Sequence, residues 1–171
     1  LGIEWHGGRE LSVLVGGLGL GYTAQAALDC SQTGRVDVIE LLPEVISWLT
    51  RDLIPLAGKL RQEPRFSVSQ ADFFQYLRNP AGRFYDVMLV DIDHSPDENL
   101  HSENLPFYTV EGLRQVRTHL KENGVLAVWS SASNDRFVSS LENVFSEVKV
   151  ETIQWHNDLI EKDQSDLIFL A

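Results

Sequence analysis

The sequence predicts a doubly wound α/β domain whose sheet is mostly parallel, with helices on both faces and an antiparallel last strand. Three observations carry this reading. Short apolar runs alternate with stretches of helical period, as strands buried on both faces alternate with crossover helices. The first run, Val13-Leu14-Val15, breaks into Gly16-Gly17-Leu18-Gly19-Leu20-Gly21 and then into the helical stretch Tyr22–Leu28. The last two runs, Val148–Trp155 and Leu167–Ala171, are joined only by the polar segment His156–Asp166. A helical crossover between parallel strands needs about a dozen residues or more, so these two pair as an antiparallel hairpin.

Taken in order, Leu1–Glu10 has no clear period and reads as an irregular lead-in or the remnant of an upstream segment, with one domain over 11–171. Leu11–Val15 is the first strand and Val36–Glu40 the second. Pro43 sits where a helix starts, and Val45, Ile46, Leu49 and Leu53 continue at helical spacing. Arg65–Val68 is a short third strand. Asp72, ahead of Phe73, Phe74, Tyr76 and Leu77, has the position of an N-cap for a helix that Pro80 and Gly82 end. Tyr85–Asp91 is the strongest strand signal and finishes on an acid. Ile92–Phe107 is a long polar connection carrying Asp93, His94, Asp97, Glu98 and His101, with the length of a lid or binding segment. Thr109–Leu120 is helical, Gly124–Ser130 is the fifth strand, and Asn134 or Asp135 caps a helix through Phe137, Val138, Leu141, Val144 and Phe145.

The 171 residues suit one domain with one core. No apolar run approaches the roughly 20 residues of a membrane span, and no secretory leader is seen. The chain opens at Leu1 without Met, so removal of upstream sequence is an expectation. The single cysteine, Cys30, has no internal partner, which fits a reducing cytoplasm. A formal net charge of −11 repels phosphate backbones and draws in cations. Nucleic acid and membrane are therefore not expected partners. A small cationic amine is, and a domain of this kind also admits a homodimer.

Chemistry concentrates at four places. The glycines do not fit Gly-x-Gly-x-x-Gly: from Gly17 the third glycine would fall on Tyr22, and from Gly16 the second falls on Leu18. Gly17-x-Gly19-x-Gly21 is the looser spacing of sulfonium-nucleoside binders, whose ligand has no pyrophosphate to clamp; close helix packing alone would also call for glycines here. Glu40 follows Gly21 by 19 positions, at the carboxyl end of the second strand, where an acid accepts both ribose hydroxyls. Asp72 stands at the matching point after the third strand, as an N-cap or as an acceptor for an adenine amino group, with the Phe73 amide beside it. Asp91 ends the strand expected next to the first, at the crevice where open α/β sheets bind ligands. An attacking amine must lose a proton, and a carboxylate there can take it. Asp93 and His94 are placed to assist. The spacing of Asp91, Asp93, His94 and His101 matches no established metal site, so no metal is expected.

In this combination the chain resembles the catalytic domain of spermidine synthases, the polyamine aminopropyltransferases, within the class I S-adenosylmethionine-dependent methyltransferase fold. The resemblance rests on Val13–Gly21 with Glu40, on Gln70-Ala71-Asp72-Phe73-Phe74-Gln75-Tyr76-Leu77, and on Tyr85–Asp91 running through an acidic loop to Phe107-Tyr108. It implies a seven-stranded sheet with the last strand antiparallel, and S-adenosylmethionine or its decarboxylated form as co-substrate. The nucleoside would be held by Gly16, Gly17, Gly19, Gly21, Glu40, Leu41, Asp72, Phe73 and Asp91. Asp91 and Asp93 would be the catalytic acids of aminopropyl transfer to an amine. Three features depart from the family pattern. Gly19 stands where the family carries an aspartate that holds the aminopropyl ammonium. Asp91-Ile92-Asp93-His94-Ser95-Pro96 replaces an Asp-Ser-Ser-Asp-Pro type of segment, and only Leu1–Glu10 stands in place of a small N-terminal β-domain. A methyltransferase, or a nucleoside-binding module without activity, would share the first two departures.

Overall fold

The computed structural model describes residues 1–158 and 161–171. Seven strands run β1 Leu11–Gly16, β2 Thr33–Glu40, β3 Phe66–Gln70, β4 Tyr85–Val90, β5 Leu120–Ser130, β6 Lys149–Asn157 and β7 Lys162–Leu170. Helix α1 Gly2–His6 precedes them, and between them lie α2 Tyr22–Asp29, α3 Pro43–Thr50, α4 Ala57–Gln62, α5 Phe73–Arg78, α6 Val110–Arg117 and α7 Asp135–Glu142. The sheet order is β3-β2-β1-β4-β5-β7-β6. The first five strands are parallel, while β7 runs antiparallel to both β5 and β6. This is the doubly wound sheet with a reversed last strand that the alternation predicts.

Strand side chains alternate between two apolar layers, the period of two expected of a sheet covered on both faces. Val13, Val15, Val36, Val38 and Val87 pack with Ala24, Ala27, Leu28, Leu49 and Leu60 on the side of α2, α3 and α4. Leu14, Met88, Leu126 and Val128 pack with Phe74, Leu77, Leu113, Phe137 and Leu141 on the side of α5, α6 and α7. In this second layer Phe73, Phe74, Phe107, Tyr108, Phe137 and Phe169 touch edge to face in sequence, with ring centroids 4.9–5.6 Å apart. Each such contact adds about 0.5–1.5 kcal/mol to the burial itself. The run joins the glycine-loop end of the sheet to its last strand.

Several boundaries differ from the sequence reading. Leu1–Glu10 is not irregular: α1 forms, Ile3 is buried, and Gly2 lies so close under the sheet that a Cβ would be 3.0 Å from that of Ala127. The helix expected over Thr109–Leu120 ends at Arg117, and β5 begins at Leu120 rather than Gly124. Its first residues depart from regular pairing, with a register shift opposite Tyr85 and Val87 and with Asn123 at φ +58°. Much of the expected polar joint His156–Asp166 is strand, since β6 and β7 pair from Lys149↔Leu170 to Asn157↔Lys162; residues 159 and 160 of that joint lie outside the described residues. Only Leu167–Leu170 of β7 reaches β5, so the distal half of the hairpin projects as a two-stranded ribbon. Among the described residues no helix is long and apolar enough to cross a membrane.

One charged cluster ties three strands together. Asp37, in the middle of β2, accepts from Arg35 and Arg83, each at 2.6 Å, from the Ser67 hydroxyl of β3, and from the Tyr85 hydroxyl of β4 at 3.4 Å. Burial opposes its charge, but the hydrogen bonds from Ser67, Arg35 and Arg83 outweigh burial and hold its carboxyl below the ordinary value of 3.8. The native state therefore binds this proton less readily than the unfolded chain. The resulting stability is present above about pH 4 and is lost as the pH falls through the lower native value. Replacing Asp37 by Asn is expected to remove about 1.5–3 kcal/mol at pH 7, the range for hydrogen bonds to a charged group. In urea unfolding series the gap to the unmodified chain should shrink below about pH 4 and close once the pH is under the lowered native value of Asp37, where both carry a neutral group.

Candidate active site

The sheet register assembles the site. Gly16 of β1 is level with Ile39 of β2 and with Val90 of β4, so Gly17, Glu40 and Asp91 reach the carboxyl edge in one row. Glu40 is level with Gln70, which puts Asp72 two residues past the end of β3. Backbone bonds close the row: Gly17 N–H donates to Ile39 C=O at 2.9 Å, Ala71 N–H to Glu40 C=O at 3.0 Å, and Asp91 N–H to Gly16 C=O at 3.3 Å. The four places that the sequence singled out as separate motifs thus meet at the crevice beside β1, where the chain crosses from one side of the sheet to the other.

Three of the loop glycines are required by what they touch. A Cβ on Gly16 would lie 2.9 Å from the Phe73 ring, and one on Gly17 would lie 2.9 Å from the Asp91 carbonyl oxygen. On Gly21 it would lie 2.5 Å from Leu60 of α4. Gly17, Gly19 and Gly21 all have positive φ, at +88°, +49° and +87°, a region that side chains disfavour. Gly19 alone of the four has nothing within 4 Å of where its Cβ would stand. It is exposed, and so are Leu20, Tyr22 and Leu41 around it.

Glu40 is 8% exposed and spans the loop. Its Oε2 accepts the Leu18 amide at 2.8 Å and its Oε1 the Leu42 amide at 2.8 Å. Each oxygen keeps a second lone pair, so the same carboxylate that shapes the glycine loop can also accept from a diol. Asp72 is the N-cap of α5, its Oδ1 taking the Gln75 amide at 2.9 Å. Phe73 is buried and packs under Gly16, while its amide, at the first position of the helix, has no hydrogen-bond partner among the described residues.

Asp91 and Asp93 lie two residues apart in different surroundings. Asp91 is exposed at the crevice, and its Oδ2 accepts the Thr23 hydroxyl at 2.7 Å. Asp93 is 3% exposed, its Oδ1 accepting from the Leu100 amide and the Asn104 side chain, both at 2.8 Å, and its Oδ2 from the Tyr108 hydroxyl at 3.0 Å. Burial, reinforced by the neighbouring Asp93 charge, pushes the Tyr108 hydroxyl well above its ordinary range and keeps it a donor. Asp93 thus organises the connection after β4, whose last part is a 3-10 helix, Ser102–Tyr108, rather than loop. The connection is also strapped to the segment after β5: His94 C=O accepts from Ser131 N–H and Oγ, and Asn134 donates to Asp97 at 2.7 Å. Thr23, Asn104 and Tyr108 have no local sequence signal that points to these partners; Thr23 stands out only as a β-branched residue in the first turn of a helix.

None of Glu40, Asp72, Asp91 and Asp93 has a Lys, Arg or His ion-pair partner among the described residues. No group of three or more His, Cys, Asp or Glu side chains there is placed to hold a metal ion. A depression of about 480 Å³ on the projecting hairpin, between Gln154–His156 and Asp163–Ser165, contains none of these acids. It is walled by two exposed strands alone. Two glycine variants test the loop geometry. Gly17→Ala combines positive φ with a backbone clash and should cost at least about 2 kcal/mol, whereas Gly19→Ala meets only the left-handed strain of about 1–2 kcal/mol. Urea denaturation midpoints should rank them in that order; equal midpoints would contradict the close approach of Gly17 to Asp91.

No family model matches the chain. Among curated relatives it is 32% identical to a polyamine aminopropyltransferase of Oceanobacillus iheyensis over 123 residues, 71% of this chain and 23% of that protein. It is 30% identical to one from Prochlorococcus marinus over 125 residues, 72% of this chain and 42% of the relative. The chain therefore spans less than half the length of either. Among solved structures, spermidine synthase from Thermotoga maritima superposes with a TM-score of 0.76 at 18% identity, over 99% of this chain and 56% of the other. Human methyltransferase-like protein 13 in complex with SAH gives 0.68 at 22% identity, over 99% and 75%. In sequence and in fold alike, the chain is a spermidine synthase-like domain built on the class I methyltransferase fold.

Proposed function

We propose that this chain is the nucleoside-binding and catalytic domain of a transferase that binds decarboxylated S-adenosylmethionine or S-adenosylmethionine and, from the decarboxylated form, delivers an aminopropyl group to a cationic amine. The observation that carries the reading is the set of carboxylates at neighbouring strand ends around a glycine loop, none of them paired to a protein cation among the described residues. A sulfonium and an ammonium would supply the missing positive charge, in a chain whose own charge is −11. The curated relatives are named for the same transfer.

In this reading the lone pairs left on Glu40 accept the ribose hydroxyls, Asp72 accepts from the adenine amino group, and the Phe73 amide donates to the ring. Leu41 and the loop glycines lie along the nucleoside. Asp91 orients the amine and takes the proton that the nitrogen releases as its bond to carbon forms and the carbon–sulfur pair returns to sulfur. Asp93 holds the connection that carries this face of the site. Gly19 favours a second reading, methyl transfer from intact S-adenosylmethionine. It leaves open space where the resembled family has an acid for the aminopropyl ammonium.

Calorimetry with S-adenosylmethionine, its decarboxylated form and methylthioadenosine separates these readings. Tighter binding of the decarboxylated ligand is expected, while binding of the carboxylated one alone would replace aminopropyl by methyl transfer. Glu40→Ala should weaken all three by about 10-fold to 100-fold, the equivalent of one charged hydrogen bond, because each carries the same ribose. An unchanged affinity would remove Glu40 from the nucleoside site. Asp91→Asn should leave nucleoside affinity within about 2-fold and lower turnover about 100-fold or more; full turnover would remove Asp91 from the chemistry.

A further inference from the structure

Thr23 is the side chain in this site that neither local structure nor the proposed ligand contacts explain. It is the second residue of α2, whose N-cap is Gly21, and among the described residues its hydroxyl bonds to Asp91 and to no backbone group of the helix. A β-branched residue is a modest helix former, and a hydroxyl within a helix ordinarily turns to its own backbone. The Thr23 hydroxyl instead crosses the crevice to Asp91 Oδ2 at 2.7 Å, bridging residues 68 apart in sequence. The main chain of Asp91 is already fixed on the other side, by its amide bond to Gly16 C=O and by the carbonyl seated against Gly17. Backbone and carboxylate are thus fixed independently, one by the glycine loop and the other by the helix that follows it. The bond is exposed to water, where a single hydrogen bond adds little to stability. Its consequence lies in orientation.

We propose that Thr23 is a positioning residue for Asp91: its hydroxyl holds Oδ2, so that Oδ1 is the oxygen presented to the acceptor amine. This rests on the transferase reading given above. Thr23 donates its only proton to Oδ2 and fixes the carboxylate plane. The amine nitrogen gives its proton to Oδ1 as it bonds to carbon, and sulfur keeps the electron pair of the broken bond. With Thr23 removed, the carboxylate rotates freely about its terminal torsion and spends part of its time turned away from the amine. Binding of the nucleoside, which depends on Glu40 and Asp72, is untouched.

The test compares the unmodified protein with Thr23→Val, of nearly the same shape without the donor, and Thr23→Ser, which keeps the donor. Aminopropyl transfer from decarboxylated S-adenosylmethionine to putrescine is followed at saturating amine, with urea midpoints as a check on folding. Thr23→Val is expected to lower kcat about 10-fold, a part of the roughly 100-fold to 10,000-fold that a general base contributes, with KM for the nucleoside and the urea midpoint unchanged. Thr23→Ser should recover most of the rate. In an Asp91→Asn background Thr23→Val should have no further effect, as for two groups acting as one unit. A Thr23→Val enzyme with full kcat, a Ser variant as slow as Val, or additive losses with Asp91→Asn would overturn the assignment while leaving the transferase reading in place. An unmodified protein that transfers no aminopropyl group overturns that reading itself, and the role of Thr23 with it.

Discussion

The backbone of Gly16 and Gly17 passes between the Phe73 ring on one side and the Asp91 carbonyl on the other, with room for no Cβ on either residue. The rest of the crevice depends on this passage. It lets β1 end level with β2 and β4, so that the loop, Glu40 and Asp91 leave the sheet together. It seats Phe73 at the end of the edge-to-face aromatic run, and so joins the loop to the core beneath α5, α6 and α7. Glu40 then closes the loop from the other side by accepting the Leu18 amide. The loop is held by packing below, by a carboxylate beside it and by a backbone bond to β2. A ligand would meet a surface that is already formed, with little ordering left to do on binding.

Charge is distributed in a way that complements this. Asp37 and Asp86 are each neutralised by basic residues, Arg35 and Arg83 for the first and Lys121 for the second. The acids at the carboxyl edge take hydrogen bonds from amides and hydroxyls instead. Such bonds stabilise a carboxylate without cancelling its charge. The lower sheet therefore spends its basic residues on structure, and the crevice keeps a negative field for whatever cation enters it.

Much of this was legible in the sequence because it is local. The strands announce themselves as apolar runs, Asp72 caps α5 as its position ahead of Phe73 implies, and the glycine loop falls where the first strand ends. What escaped depends on distant partners. The helix Gly2–His6 is too short to show a period and is held by packing of Gly2 and Ile3 under the sheet. The segment after β4 reads as an open polar loop because its acids and amides look solvent-bound. Asp93 becomes an internal anchor only once Asn104 and Tyr108 fold back onto it. His119 reads as one more residue of a helix, yet it is fully buried, with Nε2 3.1 Å from both the Leu77 and the Asn79 carbonyl oxygens. Two carbonyl partners require that nitrogen to carry the proton, so His119 closes the end of α5 as a donor.

The pair Asp91 and Asp93 shows how the fold assigns unlike tasks to like residues. Both are aspartates, two positions apart, just past the end of one strand. Asp93 is enclosed by three donors, two on Oδ1 and one on Oδ2, which fix the chain around it. Asp91 is exposed and, among the described residues, meets one side-chain donor, Thr23, on Oδ2. A buried carboxylate bonded at both oxygens makes a rigid support, and withdrawing any one of its donors leaves costly unmet polarity. A carboxylate held at one oxygen is oriented yet still able to accept. The first arrangement suits an anchor and the second a proton acceptor. The division between them comes from the segment Leu100–Tyr108, which folds over Asp93 and leaves Asp91 facing the glycine loop.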